Sequence, residues 1–504
     1  MVKCYVKVFR LIIPSGKISG LPVNILLITL LFLLPFQSLT AQDNTLYFMP
    51  EIPQANQLNP AIFKLCRIYV ELPVISSVKL NIRNSAFGFH DVVQRGTGAQ
   101  SNTWLVNTTK FDRILKGVNY SQIETDIDLL GFGFGYKEWY FTFGIANHSD
   151  ILLSYPHDVV LLRDDRLQTA GTSGTQINLF HTGVGMTLWN SIGISAAREI
   201  SDGLKLGLRV KYLQGMANAI SRPSDLSLNY AVNPSTLDVL INARLNSSFP
   251  VQVGSAPNGA VNGLNFDNSL NNFIGNYIFN GNRGVSIDAG FVYDVDEKTQ
   301  FSGSITDLGF IHWRKNTNSF TINRNSIFNT ADLASLQTKP SRVDLLNALN
   351  DSISGAVRNS PKSYYTLTPI KIFGGITRLL LPNLRAGAMT RIEIYNLHVL
   401  PSFSLSMNYT PVPPVSASLS YTLMNNKFNQ IGAGIALGNR IVQFYMITDN
   451  IVFRFTKDIN SSYSWPYNAR MLSLRFGLNL LFGCKEKESK LHSKSRKDSC
   501  PAYW

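Results

Sequence analysis

The residues that could do chemistry begin with a histidine among polar side chains. His148 lies between Asn147 and Ser149, and His157 follows close behind. A serine beside an imidazole can act as a hydrolytic nucleophile, because the ring takes up the hydroxyl proton. The interpretation we favour is polar residues at the tip of a hairpin. The sequence also lacks Gly-x-Ser-x-Gly, His-Glu-x-x-His, a phosphate-binding loop and paired-cysteine zinc spacing. We therefore expect no enzyme, no metal site and no cofactor.

Two aspartates follow threonines at the ends of predicted strands. Asp307 stands in Thr-Asp-Leu-Gly, and Asp449 precedes Asn450 in Thr-Asp-Asn. One hypothesis is a site for a cation or a partner. The other, which we favour, is a structural turn in which the aspartate accepts hydrogen bonds from its own backbone.

A segment near the N-terminus cannot form regular structure for long. Pro50, Pro53 and Pro60 interrupt it, and proline breaks both helices and strands. The stretch from Pro50 to Ala61 is therefore expected to be extended and rich in turns, which suits a segment tucked inside something larger.

The elements that must position these residues are strands. In the stretch 125–147, Phe132, Phe134 and Tyr136 share one face, and glycines occupy the other. After Lys137-Glu138 the alternation resumes at Trp139, which predicts a β-hairpin. Glycines weaken a half-buried strand of a soluble sandwich, but they suit the crowded interior of a barrel whose aromatic residues face lipid. We predict a membrane-spanning barrel.

Composition agrees with that fold class. The chain has 504 residues, of which 45% are hydrophobic and only 15% charged, whereas roughly 25% is usual for soluble domains. The net charge of +14 could indicate nucleic acid. We expect none, because the chain has no basic helix, zinc spacing or RNA-binding aromatic motif. Attraction to anionic lipid head groups explains the charge better.

The predicted organisation has four parts. Residues 1–41 form a signal peptide with a basic start and an apolar run, the alternative being a signal anchor. Residues 42–66 form a plug or hatch segment. Residues 67–483 form an all-β, transmembrane antiparallel barrel of roughly 14 strands. Its insertions lie at about 233–282 and 316–361, and the second includes a small helix from Ser341 to about Val357. Residues 484–504 form a basic tail.

Several short motifs carry a family resemblance. They run in order along nearly the whole mature chain: Tyr47-Phe48-Met49-Pro50, Pro53-Gln54-Ala55-Asn56, Asn59-Pro60-Ala61, Leu72-Pro73, Ser304–Ile311 with Trp313, Phe444-Tyr445 and Thr448-Asp449-Asn450. With them, the chain resembles an uncharacterised family of Bacteroidetes outer-membrane β-barrels. Through Asn59-Pro60-Ala61 it is distantly similar to the long-chain fatty-acid transporter superfamily, which includes barrels associated with type IX secretion.

The resemblance implies a function. In the transporter superfamily the N-terminal segment plugs and gates the lumen, so Asn56, Asn59, Pro60 and Ala61 are candidate gating or substrate residues. The alternative is a fixed structural plug. We expect an outer-membrane barrel that contacts membrane lipid and takes up or holds a hydrophobic small molecule. The alternative is a non-enzymatic binding or assembly component of a cell-surface secretion system, with the two insertions as its partner surface.

Overall fold

The computed structural model describes residues 43–63, 66–96, 98, 104–162, 175–222, 224–232, 235–255, 261–266, 281–329, 353, 355–395, 398–412, 415–424, 427–439, 441–451, 455–457, 464–466 and 471–484. The predicted signal peptide, most of the predicted helix at 341–357 and the basic tail after residue 484 lie outside them. Among the described residues, no helix is long and apolar enough to cross a membrane.

Strands dominate these residues. They are β1 (Cys66–Glu71), β2 (Val78–Asn84), β3 (Val93–Arg95), β4 (Trp104–Val106), β5 (Val118–Tyr136), β6 (Trp139–Pro156), β7 (Thr175–Asn178), β8 (Gly183–Ser201), β9 (Leu204–Ser221), β10 (Asp225–Val232), β11 (Ser235–Ser248), β12 (Val251–Ser255), β13 (Val261–Phe266), β14 (Arg283–Asp294), β15 (Thr299–Trp313), β16 (Thr317–Asn329), β17 (Arg358–Asn359), β18 (Tyr364–Leu367), β19 (Ile370–Leu381), β20 (Leu384–Tyr395), β21 (His398–Val412), β22 (Val415–Met424), β23 (Lys427–Gly438), β24 (Val442–Thr448), β25 (Phe455–Lys457), β26 (Ser464–Pro466) and β27 (Met471–Cys484).

The helices are short. In the described part of the chain they are α1 (Asn44–Tyr47), α2 (Phe89–Val92) and α3 (Thr108–Ile114), with 3-10 turns at Pro53–Gln57 and His157–Leu162. Since the first helix and the first 3-10 turn precede every strand, the N-terminal segment belongs to no part of the sheet.

The wall is a closed antiparallel barrel of 14 strands. β1 and β2 together form its first strand, because both pair with β27 on one side and with β5 on the other. The seam runs from Cys66 opposite Cys484 to Glu71 opposite Asn479. The other wall strands are β5, β6, β8, β9, β14, β15, β19–β24 and β27. Closure leaves no open strand edge in the wall, as a lipid environment requires. The predicted fold class is confirmed.

Alternation along the strands gives the two faces of the wall opposite character. On β9, Leu206, Leu208 and Val210 are exposed on the outer surface, whereas Arg209 between them is buried. The predicted hairpin forms with Tyr136 opposite Trp139, and Phe132 and Phe134 point outward. An apolar outer band around a polar interior is typical of membrane-spanning barrels.

At one end the sheet extends beyond the wall. β11 pairs with β10, with β16 along its length and with β9 over its last residues. Leu237, Val239 and Ile241 of β11 are buried in an apolar cluster of their own. The stretch at 233–282, expected to be a long loop or a small insertion, contains strands β11, β12 and β13. Its many Asn and Ser residues obscured the alternation of Leu237, Val239 and Ile241.

Candidate functional site

The plug, residues 43–62, occupies the lumen of the barrel. Its first half, residues 43–52, is called the apolar half because it buries five large apolar side chains, although Asp43, Asn44 and Thr45 at its start hydrogen-bond to the wall. Leu46, Phe48 and Ile52 are buried with Tyr47 and Met49 against side chains from one side of the wall. Those wall residues are Phe373, Met389, Ala436, Tyr445 and Ile447. Tyr47 stacks on Phe373 with ring centroids 5.5 Å apart. The apolar half is therefore held by the burial of large side chains.

The second half, residues 53–62, is called the polar half because most of its contacts with the wall are hydrogen bonds, although Ala55 and Leu58 belong to the apolar cluster. Gln54 donates to the Asn479 side chain at 2.8 Å, and Gln57 donates to the Asp128 carboxylate at 2.8 Å. Asn59 donates to the backbone oxygen of Phe291 at 3.1 Å. These partners lie on β27, β5 and β14, whereas the wall residues of the apolar cluster lie on β19, β20, β23 and β24.

A buried charge cluster ties the start of the plug to the wall. Lys79 of β2 lies 2.8 Å from the Asp43 carboxylate, 2.8 Å from Glu124 and 3.1 Å from Asp126. Arg475 of β27 lies 3.4 Å from Asp43. Burial opposes ionisation of Asp43, but Lys79 and Arg475 outweigh it and hold the pKa of that plug carboxyl well below its usual range. Asp43 is therefore a charged anchor.

A second charge cluster faces the polar half. Arg209 donates to the backbone oxygen of Asn56 at 2.9 Å and to its side-chain oxygen. Asp288 receives both Arg209, at 3.2 Å, and Lys211, at 2.8 Å, and Lys211 also lies 2.7 Å from Asp307. The plug is thus bound to charged wall residues at both of its ends.

A cleft opens beside the polar half. Its empty volume is about 1060 Å³, part of which is open to solvent. Pro53, Asn56, Gln57 and Leu58 of the plug line it, whereas Asp43 is its only lining residue from the apolar half. The lumen-facing wall side chains that line it are Trp189 and many charged or polar residues (Glu71, Glu124, Asp126, Asp128, His148, Asp150, Ser191, Arg209, Lys211, Asp307, Lys371 and Arg475). Leu130, Phe143 and Ile145 border the cleft, but they share the outer face of the wall with Phe132. The cleft therefore has a mostly charged and polar wall with one large aromatic side chain.

The predicted gating residues all lie in the polar half. Asn56 donates to the backbone oxygens of Pro60 and Ile62, which folds the segment back on itself. Asn59 accepts from the Ala61 N–H at 2.9 Å. A Cβ at Gly207 would lie 2.3 Å from the Pro60 carbonyl carbon. The four residues therefore form one compact turn pressed against β9 and β14.

The two aspartates differ from the expectation of simple turns. Asp449 accepts from the Asp43 N–H at 2.8 Å and the Thr45 N–H at 2.9 Å, so its carboxylate holds the plug instead of its own turn. Asp307 lies inside β15, not at a strand end, and its carboxylate binds Lys211. Asn450 does stabilise a turn, since its N–H donates to the Thr448 hydroxyl at 3.3 Å.

His148 also lies elsewhere than expected. It stands within β6 on the lumen side, not at a hairpin tip. Its Nδ1 lies 2.6 Å from an Asp126 carboxylate oxygen, and its Nε2 lies 2.9 Å from the Ser191 hydroxyl. Sequence reasoning paired His148 with its neighbours in the chain and missed partners on the adjacent strands.

Other residues that hold the plug were missed as well, among them Asp43, Gln54, Gln57, Lys79, Glu124 and Arg475. One sequence signal could have found Lys79, Glu124 and Arg475. Each is a charged residue at a strand position that alternates with apolar ones and therefore faces the lumen. Among the described residues, no group of three or more His, Cys, Asp and Glu side chains could hold a metal ion.

Comparison with known proteins gives a family and a few distant structural likenesses. No curated protein matches the chain. The Ralstonia pickettii toluene transporter TbuX is 10% identical, with 86% of this chain and 94% of that chain covered at a TM-score of 0.40. A Pseudomonas aeruginosa FadL homologue is 10% identical, with 89% and 100% covered at a TM-score of 0.37. Identities and TM-scores this low support no conclusion about what this chain does.

A family model matches far more directly. It is the model of a family of unknown function, DUF5723, and it covers residues 60–449. That span begins at Pro60 in the plug and ends at Asp449, the residue that holds the start of the plug. The chain belongs to the DUF5723 family.

Proposed function

We propose that this protein is an outer-membrane barrel that takes up or holds a hydrophobic small molecule, with residues 43–62 as its hatch. One observation carries the proposal: the cleft lies along the polar half of the plug and hardly touches the apolar half. A ligand that enters the cleft would replace hydrogen bonds of the plug, which contribute about 1 kcal/mol each. It would leave the apolar cluster in place.

The lining of the cleft favours a ligand with an apolar body and a polar end. Trp189 offers an aromatic surface in the cleft, and burial against it contributes about 25 cal/mol per Å² of apolar surface. Arg209 and Lys211 face the same space, but Asp288 and Asp307 already pair with them, so a neutral group that accepts hydrogen bonds suits this side. A few polar groups beside an aromatic surface are typical of sites for small molecules.

The outer membrane is the proposed location. The apolar outer band, the closed wall and the short turns at one end of the barrel, such as Lys137-Glu138 and Asp202-Gly203, are the features of outer-membrane barrels. Membrane lipid is then the partner of the exposed Leu, Val and Phe side chains of the wall.

A disulfide lock tests the hatch. A Cβ at Gly290 would lie 2.9 Å from the Asn59 side-chain carbon Cγ, so cysteines at these two positions can meet. Oxidised Asn59→Cys/Gly290→Cys, in a background with the native cysteines replaced by serine, should block entry of the dye N-phenylnaphthylamine into intact cells that carry the protein in their outer membrane. Reduction should restore it.

The control is each single cysteine variant under the same oxidation. If the oxidised double variant admits dye as fast as the reduced one, the plug is a fixed structural element and the proposed gating is wrong. Mass spectrometry of lipid that copurifies with the protein would identify the class of ligand.

A second candidate is a binding or assembly role, favoured by the sheet that extends beyond the wall. Leu240 of β11 and Ile327 of β16 are exposed there, although β11 also buries a cluster of its own. Exposed apolar residues on an extension of this kind suit a protein partner. Deletion of β10 and β11 should abolish partner capture under this hypothesis and leave dye entry unchanged.

A further inference from the structure

Three side chains in the lumen are arranged in space like the aspartate, histidine and serine of a serine hydrolase. Asp126 of β5, His148 of β6 and Ser191 of β8 lie on three adjacent strands. Asp126 is directly opposite His148 in the strand register, and Ser191 is paired with Ala146, two residues before His148 on the same face. The carboxylate meets Nδ1 at 2.6 Å, and the hydroxyl meets Nε2 at 2.9 Å.

The hydrogen bonds fit a neutral imidazole with its proton on Nδ1. A carboxylate can only accept, so a neutral His148 donates from Nδ1 to Asp126. In that tautomer Nε2 carries the lone pair and accepts the Ser191 hydroxyl proton, which is the arrangement that activates a serine. Sequence motifs could not show it, because the three residues come from three strands.

The imidazole is held in place. The Trp189 ring stacks on it with centroids 5.0 Å apart and planes 21° from parallel. Lys79 lies 3.1 Å from the second oxygen of Asp126, which keeps that carboxylate from turning away.

The three residues also line the cleft, where a substrate can reach them. Trp189 of β8 supplies an aromatic surface in the same cleft. Lys211 of β9 lines it too. Ser191 is paired with Leu213, and Lys211 lies two residues along the same face, where Asp288 and Asp307 hold its ammonium.

We propose that Asp126, His148 and Ser191 form a hydrolytic site for esters with apolar acyl chains. The Ser191 oxygen attacks the ester carbonyl carbon, and its proton passes to His148 Nε2. The tetrahedral intermediate expels the alcohol, which leaves with that proton, and the acyl group remains on Ser191. Water then attacks the acyl carbon and gives its proton to His148. The acid departs as Ser191 recovers a proton from Nε2.

This activity goes beyond uptake and does not depend on it, because the three side chains belong to the wall and not to the plug. The test uses the full protein folded in detergent micelles, with folding checked by heat-modifiable migration on a gel. A fluorophosphonate probe should label Ser191, and p-nitrophenyl laurate should be hydrolysed.

Ser191→Ala should abolish labelling and lower ester hydrolysis on the order of a thousandfold. Ser195→Ala is the matched control, because Ser195 is a buried serine on the same strand and face whose hydroxyl bonds Thr142 and not a histidine. It should leave labelling and hydrolysis unchanged.

Asp126→Asn gives a second, graded readout. The amide can donate to Nδ1 and so favours the wrong tautomer, which should slow hydrolysis and change its pH profile while Ser191 stays in place. Two results would overturn the proposal: a folded wild-type barrel that the probe does not label, or labelling that persists in Ser191→Ala. Either would leave the three residues as a hydrogen-bond network only.

Discussion

The two halves of the plug are held in the lumen by different forces. Residues 43–52 bury large side chains such as Leu46 and Phe48 in an apolar cluster, with a charged anchor at Asp43. Residues 53–62 rely on amide hydrogen bonds and lie along the cleft. Burying one large apolar side chain contributes about 1.5–3 kcal/mol, against about 1 kcal/mol for a hydrogen bond. The apolar half should therefore stay docked while the polar half moves.

The largest effect is expected at the charged anchor. Lys79→Ala leaves three carboxylates, Asp43, Glu124 and Asp126, without their shared cation. Removing one partner of a buried ion cluster costs about 4 kcal/mol, so hydrogen exchange should accelerate across both halves of the plug. The control is Lys205→Ala on β9, a partly exposed lysine 3.5 Å from Asp294, which should have little effect. If hydrogen exchange in the plug is equally fast in the two variants, Lys79 does not anchor the plug.

The next effect is on the apolar cluster. Phe48→Ala removes a buried ring and should destabilise the docked apolar half by about 3 kcal/mol. Exchange in residues 43–52 should rise most. Phe132→Ala, an aromatic residue on the outer face, is the matched control and should leave plug exchange unchanged. If instead exchange rises only in residues 53–62, the comparison between the halves is wrong.

A smaller effect is expected from crowding the polar half. A Cβ at Gly207 would lie 2.3 Å from the Pro60 carbonyl carbon, so Gly207→Ala should displace the turn at a cost of about 2 kcal/mol. Hydrogen exchange should increase in residues 53–62 alone. Dye entry should also become faster. Gly374→Ala is the control, since a Cβ there has no atom within 4 Å.

The smallest effect is expected from a single amide. Asn59→Ala removes the donor to the Phe291 backbone oxygen and the acceptor for the Ala61 N–H. The loss should be about 1–2 kcal/mol, since at least two hydrogen bonds are removed, and it should be confined to residues 53–62. A stability change as large as that of Phe48→Ala would show that the polar half is the stronger of the two.

The sequence predicted the architecture more completely than it predicted the site. Phe132, Phe134 and Tyr136 alternating with glycines on β5 predicted an outer and a lumen face, and both are confirmed. The site depended on partners far apart in the chain. Asp449 looked like a turn residue because its neighbours favour turns, yet it holds Asp43 and Thr45. The likeness at Asn59-Pro60-Ala61 drew attention to the polar half but not to Asp43.

The sequence by itself determined the closed wall and the placement of apolar residues outside it, because strand periodicity alternates faces every residue and the energy of each face depends on its own side chains. Only the tertiary structure decided which lumen groups meet. Closing the barrel around the plug lets Lys79 of β2 reach Asp43, and the pairing of β6 with β8 lets His148 reach Ser191. Those contacts depend on strand register and curvature around the whole cylinder, which no local pattern records.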